Sequence, residues 1–318
     1  MKKTDGGDSR GILRHYFAIQ MRMHIPPGGK QRKDCAMTRS HADNVADSAA
    51  KIRAAAGARR PKIAIILGSG LGGLGDRLQN AVSVPYAELP GFPVLTVQGH
   101  SGKVMIGSLG GSDVIVLKGR KHFYETDDAY PLKTMIRAVH AAGAEILFIS
   151  NAAGSLRADI KVSELMMITD HINYMGLNPL VGANDDGFGP RFVPMTGAWD
   201  ADLQKMLKTA AKAANAPLHE GVYMAFRGPT FETPAEIRMA MAMGAQAVGM
   251  SSVPDCIIAR HCGMRVVGCS MITNMGAGLS DENLSHAHTL ENAARGAARF
   301  EALVEAFVRA ASAAEIAA

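Results

Sequence analysis

Nine short runs rich in Val, Ile and other apolar residues alternate with longer stretches of helical periodicity, and that rhythm leaves few ways to fold. The runs are KIAIILG (62–68), PVLTVQG (93–99), KVMIGSLG (103–110), DVIVLKG (113–119), EILFISN (145–151), ELMMITD (164–170), GVYMAFRG (221–228), QAVGMS (246–251) and RVVGCSMITN (265–274). Several are apolar at consecutive positions, the pattern of strands covered by helices on both faces. Helical periodicity fills 126–142, 201–215, 233–243, 253–262 and 285–314, and VADSAAKIRAAAG gives a further amphipathic helix from about residue 44. The expected class is α/β, a single domain with a central mixed β-sheet flanked by helices, spanning 41–318.

Charge narrows the function. The formal net charge is +5, yet residues 1–60 carry 13 Lys and Arg against 5 Asp, so the remainder is near −3. That distribution argues against a basic groove on the folded domain, and no nucleic-acid partner is expected. The cationic excess sits in residues 1–40, read as a disordered extension that takes no part in the fold. Cys35, Cys256, Cys262 and Cys269 form no C-x-x-C pair, and no apolar run reaches the length of a membrane span. A soluble, cytoplasmic chain with reduced thiols follows, without a membrane or metal partner.

Polar residues gather just past the apolar runs: Ser69; Arg120, His122 and Tyr124; Asn151 and Ala152; Phe231 and Glu232; Met250 and Ser251; Thr273 and Asn274. Ligands of open α/β sheets bind beyond the carboxyl ends of strands, so these endings point to one crevice. For Ser69 or Ser251 taken alone, a cap or turn is the simpler reading. Arg120 and His122 fall on one side of an extended segment and suit an oxyanion. His100, in the Gly-bounded turn GHSG, joins them as a ligand contact. GSGLGG (68–73) follows a strand and could cradle a phosphate on its backbone N–H groups. It also fits the dinucleotide pattern G-x-G-x-x-G with Glu88 twenty residues on, so an NAD-binding oxidoreductase is the rival class.

RGPTFETPAEI (227–237) contains a complete helix start, with Thr233 as N-cap, Pro234 at the first helical position and Glu236 closing a capping box. Phe231 and Glu232 stand in front of it and are not needed by the helix. An aromatic face, a carboxylate and the amide of Asn274 suit an oxopurine, whose N1–H would meet Glu232 while N7 and O6 meet Asn274.

GSGLGGLGDRL, GHSGKVMIG, GRKHFYE, NAAGSL, NPLVGANDDGFGPRF, GPTFETPAEI, GAQAVGMSSVPDCIIARHCGMRV and SMITNMGAGLS, in that order, resemble the trimeric, inosine- and guanosine-preferring purine nucleoside phosphorylases from about residue 45 onward. The resemblance implies a nucleoside-phosphorylase fold and reversible phosphorolysis of 6-oxopurine nucleosides, with inorganic phosphate as co-substrate and no cofactor. It implies Ser69, His100, Arg120, His122, Ala152 and Ser251 at phosphate, and Phe231, Glu232, Val248 and Asn274 at the base. Tyr124, Met250 and His286 would hold the ribose, with His288 as the alternative to His286, and Phe188 would reach a neighbouring subunit's sugar site in a homotrimer. Asn274, Glu232 and His122 carry the expected chemistry. A xanthosine or methylthioadenosine phosphorylase is the alternative within the superfamily. The chain departs from the family pattern at Thr126, Asp127 and Asp128, where many members carry glycine and then tyrosine or histidine.

Overall fold

A computed structural model describes residues 39–316 apart from 98, 282 and 283, so most of the expectation placed on residues 1–40 lies outside the described residues. In chain order the elements are α1 (His41–Ala56), β1 (Ile63–Ile66), β2 (Gln79–Pro85), β3 (Lys103–Leu109), β4 (Ser112–Leu117), α2 (Tyr130–Ala141), β5 (Ile146–Ser155) and β6 (Leu165–Asn173). They continue with α3 (Ala201–Ala213), β7 (Leu218–Ala225), α4 (Pro234–Ala242), β8 (Ala247–Gly249), α5 (Val253–His261), β9 (Arg265–Met275) and α6 (His286–Ile316).

The strands form one mixed sheet in the order β2-β3-β4-β1-β5-β8-β7-β6-β9. Because β9 also pairs with β5, strands β5, β8, β7, β6 and β9 close on themselves, and β1 to β4 extend outward from β5. The sheet is therefore partly closed instead of open as an open α/β reading supposes. Each face of β1 packs into a different core: Ala64 and Ile66 lie against α1, α2 and α5, while Ile63 and Ile65 lie against α3 and α6. That two-sided burial is why the run is apolar at every position.

One expected strand is corrected, and one unexpected strand takes the sheet edge. PVLTVQG is not a strand at its described positions: two prolines and Gly91 interrupt pairing there, and Val94 is 80% exposed. The strand that fills the edge is β2, paired antiparallel with β3 alone, and residues 79–83 are exposed, so it carries no apolar signature. The rival dinucleotide reading fails on local structure. GSGLGG leads only into a 3-10 turn, Gly72–Arg77, and Glu88 sits in a second such turn, Tyr86–Glu88, instead of at the end of a parallel strand.

Candidate active site

The polar endings converge. One cavity of about 320 Å³, within the range of about 300–1,000 Å³ usual for small-molecule sites, is lined by Ser69, Arg120, His122, Tyr124 and Ala152 from the ends of β1, β4 and β5. Phe231, Glu232, Val248, Met250, Ser251, Asn274 and His286 line the rest. His100 stands one layer behind: its Nε2 is 3.3 Å from Ser69 Oγ, and its ring stacks on His122 at 5.4 Å. His122 in turn stacks on Tyr124 at 4.7 Å and 9°. The expected extended run does not continue past His122: the Glu125 N–H donates to the His122 carbonyl at 3.0 Å, and His122 and Tyr124 meet within that turn. Gly119 makes room for this pile: at φ +120°, a Cβ there would stand 2.7 Å from the Cβ of His100.

Burial pushes the His100 imidazole down to about 4 and that of His122 below its usual value, with the Arg120 charge adding to both. Near neutral pH both rings are uncharged, so they act through directed hydrogen bonds and not through charge. Glu125, which the sequence did not single out as a site residue, orients His122. Its Oε1 accepts from the His122 backbone N–H at 2.8 Å and lies 3.3 Å from Nδ1. Burial alone would raise its carboxyl, but hydrogen bonds from His122, Thr96 and Lys121 outweigh that and hold it well below the usual carboxylate range. An ionised Glu125 fixes Nδ1 as the protonated nitrogen and turns Nε2 of His122 into an acceptor.

Arg120 is 1% exposed, and its guanidinium is largely spoken for. Nη1 donates to Ser252 Oγ at 3.0 Å and to Asp255 at 2.5 Å, and Nη2 donates to the Ser150 carbonyl. Of the five donors an arginine carries, only the remaining edge is left to face a ligand. Neither Ser252 nor Asp255 was recognised in the sequence, because both sit where a helix start accounts for them.

Glu232 is 8% exposed, and its Oε1 has no hydrogen-bond partner among the described residues. Phe231, 40% exposed, lies beside it at the mouth. The capping box behind them forms as read, with Glu236 N–H to Thr233 Oγ1 at 3.2 Å and Thr233 N–H to Glu236 Oε2 at 2.7 Å. Helix α4 therefore has its own start, and Glu232 is free for another task. Asn274 stands at a bulge: β5 and β9 run in register from Ile146↔Arg265 to Ala153↔Ile272, then Gly154 pairs with Asn274, leaving Thr273 as the extra residue. Bulges re-aim side chains beside sites. Thr273 Oγ1 donates to Asn274 Oδ1 at 3.1 Å, and Asn274 Nδ2 donates to the Met275 carbonyl at 2.9 Å, which fixes the amide's orientation. Gly154 gives it space, since a Cβ there would lie 2.8 Å from Asn274 Nδ2.

His286 lines the main cavity at the first turn of α6, whereas His288 lines a smaller space with Phe231 and Asn274. Phe188 is not among the residues that line this cavity; it packs against Arg137 at 4.1 Å and His41 at 5.5 Å.

Burial holds the Glu232 carboxyl above its ordinary range, with Glu236 adding to the effect. Glu232 therefore adds to stability at low pH, and that contribution is lost as pH rises through its raised value. Glu232→Gln is expected to stabilise the fold by about 1–2 kcal/mol at pH 7 while leaving it almost unchanged at pH 4, and to lower kcat/KM on the substrate. Thermal melts at the two pH values check this, and equal melting of the variant and the parent at pH 7 would contradict the assigned strain.

One cavity thus brings together a cation and an imidazole, Arg120 and His122, with a carboxylate and an amide, Glu232 and Asn274. The sequence profile of the Phosphorylase superfamily matches residues 62–309. Purine nucleoside phosphorylase 1 of Bacillus subtilis is 47% identical over 248 residues, covering 78% of this chain and 92% of that one. Purine nucleoside phosphorylase of Mus musculus is 44% identical over 254 residues, covering 78% and 87%. A crystal structure of a schistosome purine nucleoside phosphorylase with hypoxanthine superposes with a TM-score of 0.78 at 37% identity, covering 84% of this chain and 96% of that one. Sequence, fold and cavity agree, and the chain belongs to the phosphorylase superfamily, among its purine nucleoside phosphorylases.

Proposed function

We propose that the domain spanning residues 41–318 catalyses reversible phosphorolysis of 6-oxopurine nucleosides and deoxynucleosides, inosine and guanosine, as a step of purine salvage. The products are the free base and ribose or deoxyribose 1-phosphate. The observation that carries this reading is the single cavity that Arg120, His122, Glu232 and Asn274 line together. Phosphate would lie on Ser69, Arg120, His122, the Ala152 N–H and Ser251, with His100 supporting Ser69. The sugar would lie on Tyr124, Met250 and His286, and the base between Phe231 and Val248.

In this mechanism the glycosidic C–N bond breaks first and its electron pair leaves with the purine. Positive charge grows on the ribosyl ring, phosphate stabilises it and then forms the new C–O bond on the opposite face. Asn274 donates to N7 as negative charge develops on the base, and Glu232 holds N1–H. The acceptor nitrogen of His122 can take the proton of a phosphate that arrives as the monoanion. No cofactor is needed. With its orientation fixed, Asn274 has a second Nδ2–H to offer to N7 and O6, both acceptors in a 6-oxopurine, which favours inosine and guanosine over 6-aminopurine nucleosides and over methylthioadenosine.

Phe188 would complete the sugar site of a neighbouring subunit in a homotrimer. The exposed Val181 and Phe192 beside it, 75% and 86% accessible, support a covered face on this loop. Cys256, Cys262 and Cys269 are free thiols, in keeping with a cytoplasmic location. Release of hypoxanthine from inosine, measured with and without inorganic phosphate and against adenosine, tests the reading. Base release that is independent of phosphate, or faster on adenosine, would refute it.

A further inference from the structure

Three helices of this chain open on a Ser/Thr-x-x-Asp/Glu sequence, and two of them use it as a helix start: α1, with Ser40 and Asp43, and α4. Thr233-Pro234-Ala235-Glu236 closes both halves of a capping box on α4. Ser252-Val253-Pro254-Asp255 has the same form at the start of α5, yet Ser252 makes no side-chain cap bond. Its backbone sits at φ +66°, the left-handed region that favours glycine. Both side chains turn the other way. Ser252 Oγ accepts from Arg120 Nη1 at 3.0 Å and from Asn151 Nδ2 at 2.8 Å, and Asp255 Oδ2 takes Arg120 Nη1 at 2.5 Å.

Ser252 is 0% exposed, and Arg120 and Asp255 are each 1% exposed. Asp255 Oδ1 has no hydrogen-bond partner among the described residues, so the carboxylate is buried at a cost its hydrogen bonds do not fully offset. A forgone cap, a left-handed serine and a half-satisfied buried carboxylate are three separate departures from what stability favours. All three converge on one guanidinium, which is the pattern of strain kept for a functional geometry.

We propose that Asp255, assisted by Ser252, is the positioning residue of the phosphate site: it acts through Arg120, fixing which edge of the guanidinium meets the anion and offsetting its charge. This rests on the phosphorolysis reading above. Because Asp255 neutralises Arg120, phosphate is held mainly by the directed donors around it, a grip loose enough for the product ester to leave. Without the carboxylate, the guanidinium loses its fixed place and the anion binds out of line with the sugar.

The test is steady-state kinetics of the full chain on inosine with phosphate varied. Asp255→Asn is expected to lower kcat/KM for phosphate by about 10²-fold while KM for inosine changes less than about twofold. Asp255→Glu, which restores the charge, is expected to recover most of the loss. Equal losses for both substrates, or a folded Asp255→Asn with wild-type phosphate kinetics, would overturn the proposal. If Asp255→Asn does not fold, Ser252→Ala decides: it keeps the ion pair and is expected to lose about fivefold in kcat/KM for phosphate alone, and no selective loss counts against the idea. A wild type that releases no base with phosphate sinks the reaction itself, whereas an active wild type with an indifferent Asp255→Asn sinks only the positioning role.

Discussion

Asn274→Ala is expected to lower kcat on inosine by about 10²- to 10³-fold, close to 3–4 kcal/mol of transition-state stabilisation, with KM changed only slightly. The reason is differential binding. In the bound nucleoside N7 is a weak acceptor, but as the glycosidic bond opens the purine becomes an anion and the amide N–H meets far more charge. Asn274 is pre-set for this. Thr273 donates to its Oδ1, Nδ2 is held by the Met275 carbonyl, and the bulge between β5 and β9 fixes its backbone. Steady-state kinetics at saturating phosphate check the split; a loss in KM alone would mean that Asn274 only binds the ground state. Asn274→Asp separates charge from shape, and is expected to slow inosine cleavage while favouring a 6-amino base.

Arg120→Met should have the largest effect on stability. It leaves Asp255 buried with neither its ion-pair partner nor most of its hydrogen bonds, and breaking such a pair costs about 3–5 kcal/mol. For a domain of this size that lowers Tm on the order of 10 °C, and phosphorolysis is lost with it. Adding Asp255→Asn to Arg120→Met should return most of the stability and none of the activity, because the two residues share one interaction and their effects are not additive. Calorimetry of the two single variants and the double variant closes the cycle. Additive destabilisation would show that the 2.5 Å ion pair is not what holds either residue in place.

Stability and function pull in opposite directions at Glu232 as well. Its raised carboxyl is retained in a pocket where glutamine would sit more easily, which is the signature of a side chain kept for a ligand. The contrast with Glu236, three helical positions inside the same motif, is instructive. Glu236 is consumed by the capping box, so its presence is explained without any substrate.

The alternation of apolar runs with helical periodicity determined the α/β class, since strands apolar on both faces, such as β1, need helices on both sides. Local chemistry determined the start of α4, where Thr233, Pro234 and Glu236 interact within four residues. The polar residues after each run were legible because a residue past a strand end has no core to fill, and most of them do line the cavity. Tertiary structure decided the rest. The edge strand β2 is formed by pairing, not by its own exposed residues, and the closure of β5 through β9 is a long-range contact with no local sign. Asn274 is aimed by a register slip that no single strand encodes. Arg120 meets Asp255 across 135 residues, and the compensation of the buried guanidinium's charge follows from that meeting. Periodicity and capping act over a few residues and can be read along the chain; charge compensation, burial and register act between segments, and exist only once those segments are packed.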